Sequence, residues 1–144
     1  MKKLLFIMGL ALLGNTIVHA QSSAQPPGGL SEIQAYSIFY ENYKNEAYES
    51  AIEYGRWIWK GMPETIEGYP KFDLQRNLER LITAYSEVSK SLQDPAEREA
   101  YVDTALIIFD EVFTNLKDKI DLYEWHLKRG RFYQQYSDYI DNAM

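Results

Sequence analysis

The chain has 144 residues, no cysteine, and 21 acidic against 15 basic residues, a net charge of −6. That balance excludes a phosphate backbone or an anionic lipid surface as the natural partner, and the lack of cysteine excludes a disulfide framework and any thiolate metal site. One domain of ordinary size accounts for the length, and its core must close without covalent staples.

The first segment reads MKKLLFIMGLALLGNTIVHA. Lys2 and Lys3 precede an apolar run from Leu4 to Leu13, and Val18-x-Ala20 presents small residues at a cleavage site. This pattern predicts a secretory signal peptide over 1–20, with export to the periplasm or the exterior and cleavage after Ala20. The run is shorter than the ~20 apolar residues that span a bilayer, so no membrane span is expected once it is removed. No cysteine follows it, which excludes a lipid anchor at a mature N-terminal cysteine. Removal leaves 13 basic against 21 acidic residues, a charge of −8 on the mature chain. Residues 21–29, rich in Gln, Ser, Pro and Gly, read as a flexible lead.

From Ser31 the apolar residues recur with helical spacing. Ser31 and Gln34 have capping-box spacing, and Ile33, Tyr36, Phe39/Tyr40 and Tyr43 form the first stripe. Lys44-Asn45-Glu46 turns the chain, with Asn45 as the expected cap of a second helix. That helix carries Tyr48, Ala51/Ile52, Gly55, Ile58/Trp59 and Met62, and Gly61 with Pro63 stops it. Small Ala51 and Gly55, one turn apart, admit a close neighbour. The hairpin spans 30–62.

Gly61 to Asp73 holds two prolines and two glycines and is a linker longer than the ~2–8 residues usual between packed helices. Asp73 caps a third helix with its stripe at Leu74, Leu78, Leu81/Ile82, Tyr85, Val88 and Leu92. Asp94-Pro95-Ala96-Glu97 opens a fourth, with Tyr101, Ala105, Ile108/Phe109, Val112 and Leu116 on one face. This second hairpin spans 72–117. Asp121 and Glu124 open a fifth helix, predicted to run unbroken over 121–143, with Trp125, Phe132, Tyr133, Tyr136 and Tyr139 along it and no return helix. Two coverings are expected for so aromatic a helix: another molecule, self-association included, or a continuation of the chain. The second is preferred because Met144 follows without cap or polar tail.

Tyr48-x-x-Ala51 with Pro63 twelve places on resembles a tetratricopeptide repeat. Ala105 and Phe109 match the small-then-aromatic step of its second helix, and Gly130-x-x-Tyr133 and Tyr139 match its glycine and tyrosines. The chain departs from the pattern at Glu46, where the family has a turn glycine, and at Gly55 and Ile58, where it favours an aromatic and then an alanine. The resemblance implies an all-α fold in which antiparallel helix hairpins stack as a short solenoid of about five helices. It also implies a binding scaffold without chemistry of its own, with the first helix of each pair facing a concave groove.

Few residues are available for catalysis. His126 is the single histidine outside the leader, and the serines at Ser86, Ser89 and Ser91 lack the flanking glycines of a nucleophile elbow. The acid groups Asp103/Asp110/Glu111, Asp118/Asp121 and Asp138/Asp141 alternate with Lys117, Lys119 and Arg131, as solvated helix faces do, and Asp118–Asp121 has no ligand ladder of a calcium loop. No catalytic residue, cofactor or metal is therefore assigned, and a hydrolase using Asp103 and Asp110 ranks last.

Twelve tyrosines and three tryptophans point instead to recognition, since Tyr, Trp and Arg dominate binding energy at interfaces. Helical rotation places Trp57 and Trp59 on nearly opposite sides, so one of them cannot be buried within its own hairpin. Trp59 shares the core stripe. Trp57 then packs on the second unit or stands in a groove. The candidate partner-binding residues are Tyr54, Arg56 and Trp57 and, on the inner helices, Tyr36, Tyr40, Tyr43, Arg76 and Arg80. A protein or peptide partner is expected. The alternative is a glycan stacked on exposed aromatics, with Trp57 and Tyr54 as platforms.

Overall fold

A computed structural model describes residues 24–140. The expected leader, 1–20, and the expected helix end at 143 lie outside the described residues. Six α-helices follow a short 3-10 turn at Pro27–Gly29: α1 (Glu32–Lys44), α2 (Tyr48–Gly61), α3 (Leu74–Ser91), α4 (Pro95–Asn115), α5 (Leu122–Gln135) and α6 (Ser137–Ile140). Among the described residues there is no strand, only one isolated bridge between Ile66 and Tyr69 in the linker. The fold is all-α, as the sequence predicts.

The helix starts are local and follow from single side chains. Ser31 Oγ accepts from the Gln34 N–H while Gln34 Oε1 accepts from the Ser31 N–H, closing a capping box. The Asp73, Asp94 and Asp121 carboxylates accept from the backbone N–H groups of Arg76, Ala96 and Glu124 at 3.0, 2.8 and 3.1 Å. Asn45 does not cap α2. It closes α1, and α2 starts from Ala47 with no side-chain cap. The reason lies between them: Glu46 takes a left-handed φ of 61°, which moves the start of the second helix downstream of Asn45.

The two hairpins stack so that sequential helices are neighbours: α2 packs between α1 and α3, and α4 between α3 and α5. Alternate helices also meet. Arg80 on α3 reaches Tyr40 and Tyr43 on α1, and Ser86 on α3 meets Tyr136 at the end of α5. In the other layer the Trp59 indole N–H on α2 donates to Glu111 on α4 at 2.6 Å. Helices α1, α3 and α5 thus form one layer, α2 and α4 the other. Phe39, Ile58, Leu78, Leu81, Ile108 and Trp125 are the large side chains sealed between them. Gly55 is the closest approach: a Cβ there would stand 2.7 Å from the Phe39 ring and 3.1 Å from Leu81, so only glycine lets α1 and α3 meet α2 at that level.

Two expectations about the chain's ends are corrected. Residues 24–29 of the lead do not run free. Ala24 lies over Gly61, 3.2 Å from where a Cβ would be, and the 3-10 turn packs on α2. The last helix is not continuous either: α5 ends at Tyr136, whose N–H is shared between the carbonyls of Phe132 and Tyr133, and α6 starts at Ser137. At this break the Tyr136 hydroxyl is held by Ser86 of α3, 2.6 Å from its Oγ.

Candidate functional site

Three of the inner-helix candidates come together. The Arg80 guanidinium lies 4.9 Å from the Tyr40 ring centre and 6.0 Å from that of Tyr43, a cation–π arrangement joining α3 to α1. Its orientation is set by Asn77, whose Oδ1 accepts from Arg80 at 2.8 Å. The Asn77 amide in turn donates to the Asp73 carbonyl at 2.7 Å, so a buried residue at the start of α3 holds the cation in place. Tyr43 also meets Tyr48 edge-on at 5.9 Å. Tyr40, Tyr43 and Arg80 remain half-exposed, which leaves this surface reachable.

Tyr36 belongs to the core rather than the surface. It is 5% exposed, and its ring meets Tyr69 at 5.0 Å and Phe72 edge-on at 5.4 Å. Burial, reinforced by the Tyr69 hydroxyl, pushes its phenol above the ordinary 10.0. The cause of its burial is the long linker, which folds back over α1 with Tyr69 and Phe72. Arg76 is exposed at the first turn of α3. Tyr54, half-buried, and Arg56, exposed, belong to α2 and so to the other layer. The Arg56 charge acts on Tyr85, whose phenol burial nonetheless raises.

Of the two placements expected for Trp57, the one in an open groove, and with it the partner-binding role, is corrected. It is 4% exposed, as is Trp59, and among the described residues its indole N–H finds no hydrogen-bond partner. Both tryptophans lie on a helix covered from several sides: α1 and α3 pack along α2, the lead crosses Gly61, and Glu111 of α4 meets the Trp59 indole. Trp59 has the expected core position, with the Lys60 ammonium 3.4 Å from its ring centre. A buried Trp57 cannot serve as a sugar platform.

Between α3 and α5 lies a groove of about 350 Å³ that sequence reasoning missed. Its floor is apolar, from Ile82, Phe109 and Phe132, and its rim is charged: Lys128 pairs with Glu79, Lys90 pairs with Glu87 at 2.6 Å, and Arg131 stands exposed. The Glu87 carboxylate beside Lys90 raises that ammonium's pKa above the ordinary 10.5. Ser86 also lines it, and its Oγ lies 2.6 Å from the Tyr136 hydroxyl, which in turn is 3.3 Å from Ser89 Oγ. The groove adjoins the Arg80 cluster on the α1/α3/α5 layer through α3 itself. The signal available beforehand was the aromatic run of α5; what it lacked was the pairing of α5 with α3. A larger cleft, about 920 Å³, opens where the linker leaves α2; its lining is mixed, with Met62, Pro63, Leu74 and Leu116 beside the Lys119–Glu64 ion pair and the Gln75 amide on the Lys119 carbonyl.

Several of the other titratable groups considered for chemistry have partners in the fold. His126 is exposed and stacked on Phe113 with ring centres 4.4 Å apart. Asp110 pairs with Arg129 at 2.6 Å, and Glu111 accepts the Trp59 N–H. Among the described residues no group of three or more His, Asp or Glu is placed to hold a metal ion, and no helix is long and apolar enough to cross a membrane. Asp141, one of the sequence candidates for an acid pair, lies outside the described residues. In the comparisons with known proteins, no family model, no curated protein and no solved structure matches the chain.

Proposed function

We propose that this chain is an exported, non-catalytic helical scaffold of the tetratricopeptide type that docks an extended peptide or protein segment along its α1/α3/α5 layer. The carrying observation is the continuity of that layer: the half-exposed Tyr40–Arg80–Tyr43 cluster adjoins an apolar-floored groove with Arg131 and Lys90 on its rim. Such a surface fits a segment that alternates apolar side chains with acidic ones. The apolar groups fill the floor over Phe109 and Phe132, and a carboxylate meets Arg131, which has no ion pair among the described residues, whereas Lys128 and Lys90 already face Glu79 and Glu87. Because helices on both sides fix the surface, little ordering of the scaffold accompanies binding.

Calorimetric titration of the mature chain with peptides of that pattern, and with oligosaccharides as the contrasting ligand, tests the proposal. Arg80→Ala or Tyr40→Ala is expected to weaken peptide binding about tenfold, the effect of losing ~1.4 kcal/mol at an interface hot spot, with helix content by circular dichroism unchanged. Oligosaccharide binding in place of peptide binding, or peptide affinity indifferent to both substitutions, rejects it.

A further inference from the structure

Among the described residues, four of the five exposed large apolar side chains lie on α5; the fifth, Ile107, stands on α4 at 48% exposure. Tyr123 is 74% exposed and Leu122 44%, and Leu127 and Tyr133 are each 36% exposed. At ~100° per residue, Tyr123, Leu127, Gly130 and Gln134 fall within about 60° of one another, opposite Trp125, Phe132 and Tyr136, which face inward. A Cβ at Gly130 would meet nothing within 4 Å. This is therefore a bare, flat stripe with a shallow seat in its middle and a large apolar knob, Leu127, one turn away.

The residues flanking the stripe decide what covers it. Glu124 and Arg131 lie along one border, both exposed and with no ion pair among the described residues; along the other lie Leu122, His126, stacked on Phe113, and Tyr133, whose hydroxyl accepts from Arg129. Turn the helix end for end about Lys128 and the face matches itself. Leu127 falls on Gly130 of the copy and Tyr123 on Gln134. On the borders Glu124 meets Arg131 and Leu122 meets Tyr133, each contact occurring twice. Every register agrees to within one residue, about 1.5 Å of rise. We propose that α5 pairs antiparallel with α5 of a second copy of this chain, in an isologous contact centred on Lys128. The face is distinct from the peptide layer and meets it only at Arg131. A single helix of 14 residues, about 21 Å long, makes a contact at the small end of specific interfaces, so the dimer is of micromolar strength.

Sedimentation equilibrium of the mature chain from ~1 to ~500 μM is expected to show a monomer–dimer equilibrium within that range. Leu127→Glu should leave only monomer, and Tyr123→Ser should weaken the dimer at least about tenfold; both residues are exposed, and a circular dichroism melt of each checks that the fold persists. Glu124→Arg and Arg131→Glu should each weaken association, and the two together should restore it, because each reversed charge then meets the other's counterpart across the two-fold axis. A chain monomeric up to ~500 μM overturns the proposal and leaves the face to a different protein. A dimer indifferent to both Leu127→Glu and Tyr123→Ser, or a double variant as weak as the single ones, overturns it as well.

Discussion

Helices α2 and α5 are both 14 residues long, and each has a glycine in its second half, yet the two are packed oppositely. At Gly55 the missing side chain is replaced by the Phe39 ring and Leu81; at Gly130 nothing approaches. Helix α2, packed by α1, α3 and the docked lead, buries both its tryptophans, whereas α5 buries Trp125, Phe132 and Tyr136 on one side and leaves Tyr123 and Leu127 to solvent on the other. The contrast shows that a glycine in a helix has no fixed meaning: its role is set by what stands over it.

Substituting the two glycines separates the cases by sign. Gly55→Ala gains helix propensity but forces a Cβ into the Phe39 ring, and the overpacking dominates, so a net loss of about 2 kcal/mol is expected, read as a fall in the thermal midpoint of roughly 10 °C. A midpoint unchanged or raised would mean that α1 and α2 are not in contact at that level. Glu46→Gly acts in the opposite direction within the same hairpin. Its left-handed φ of 61° strains a glutamate and suits glycine, and stability should rise by about 1 kcal/mol in urea unfolding, the slope unchanged. The smallest effect belongs to α5. Gly130→Ala, measured at a dilution that keeps the chain monomeric, should stabilise by roughly 0.5–1 kcal/mol through helix propensity alone. A destabilised variant there would reveal a neighbour over Gly130.

What could be read from the sequence is what single residues and their near neighbours decide. Ser31, Asp73, Asp94 and Asp121 each mark a helix start within a few residues, and the ~3.6-residue recurrence of Leu78, Leu81, Ile82 and Tyr85 assigns a core face without reference to anything distant. Asn45 misled because a cap residue was read without the φ of its neighbour Glu46, which is set by the closure of the hairpin. An exposed Trp57 was expected because a helical wheel weighs only one partner helix, whereas α2 is packed by both α1 and α3 and crossed at Gly61 by a Pro- and Gly-rich lead that looks too polar to pack. Tyr36 disappeared under Tyr69 and Phe72 of the linker for the same reason. Of the candidate site, Tyr40, Tyr43 and Arg80 were legible because adjacent inner helices bring them together. The groove was not, since Glu79 and Lys128, or Ser86 and Tyr136, are about fifty positions apart and meet only once three helices have stacked.

The account stands most directly on where a ligand lands. Amide shifts of the mature chain, followed by NMR as an acidic–apolar peptide is added, should move along α1, α3 and the Lys128–Gln135 side of α5, centred on Tyr40, Arg80 and Phe132, while the outward faces of α2 and α4 stay still. Shifts confined to α2 and α4, or a spectrum that no such peptide perturbs, would contradict it.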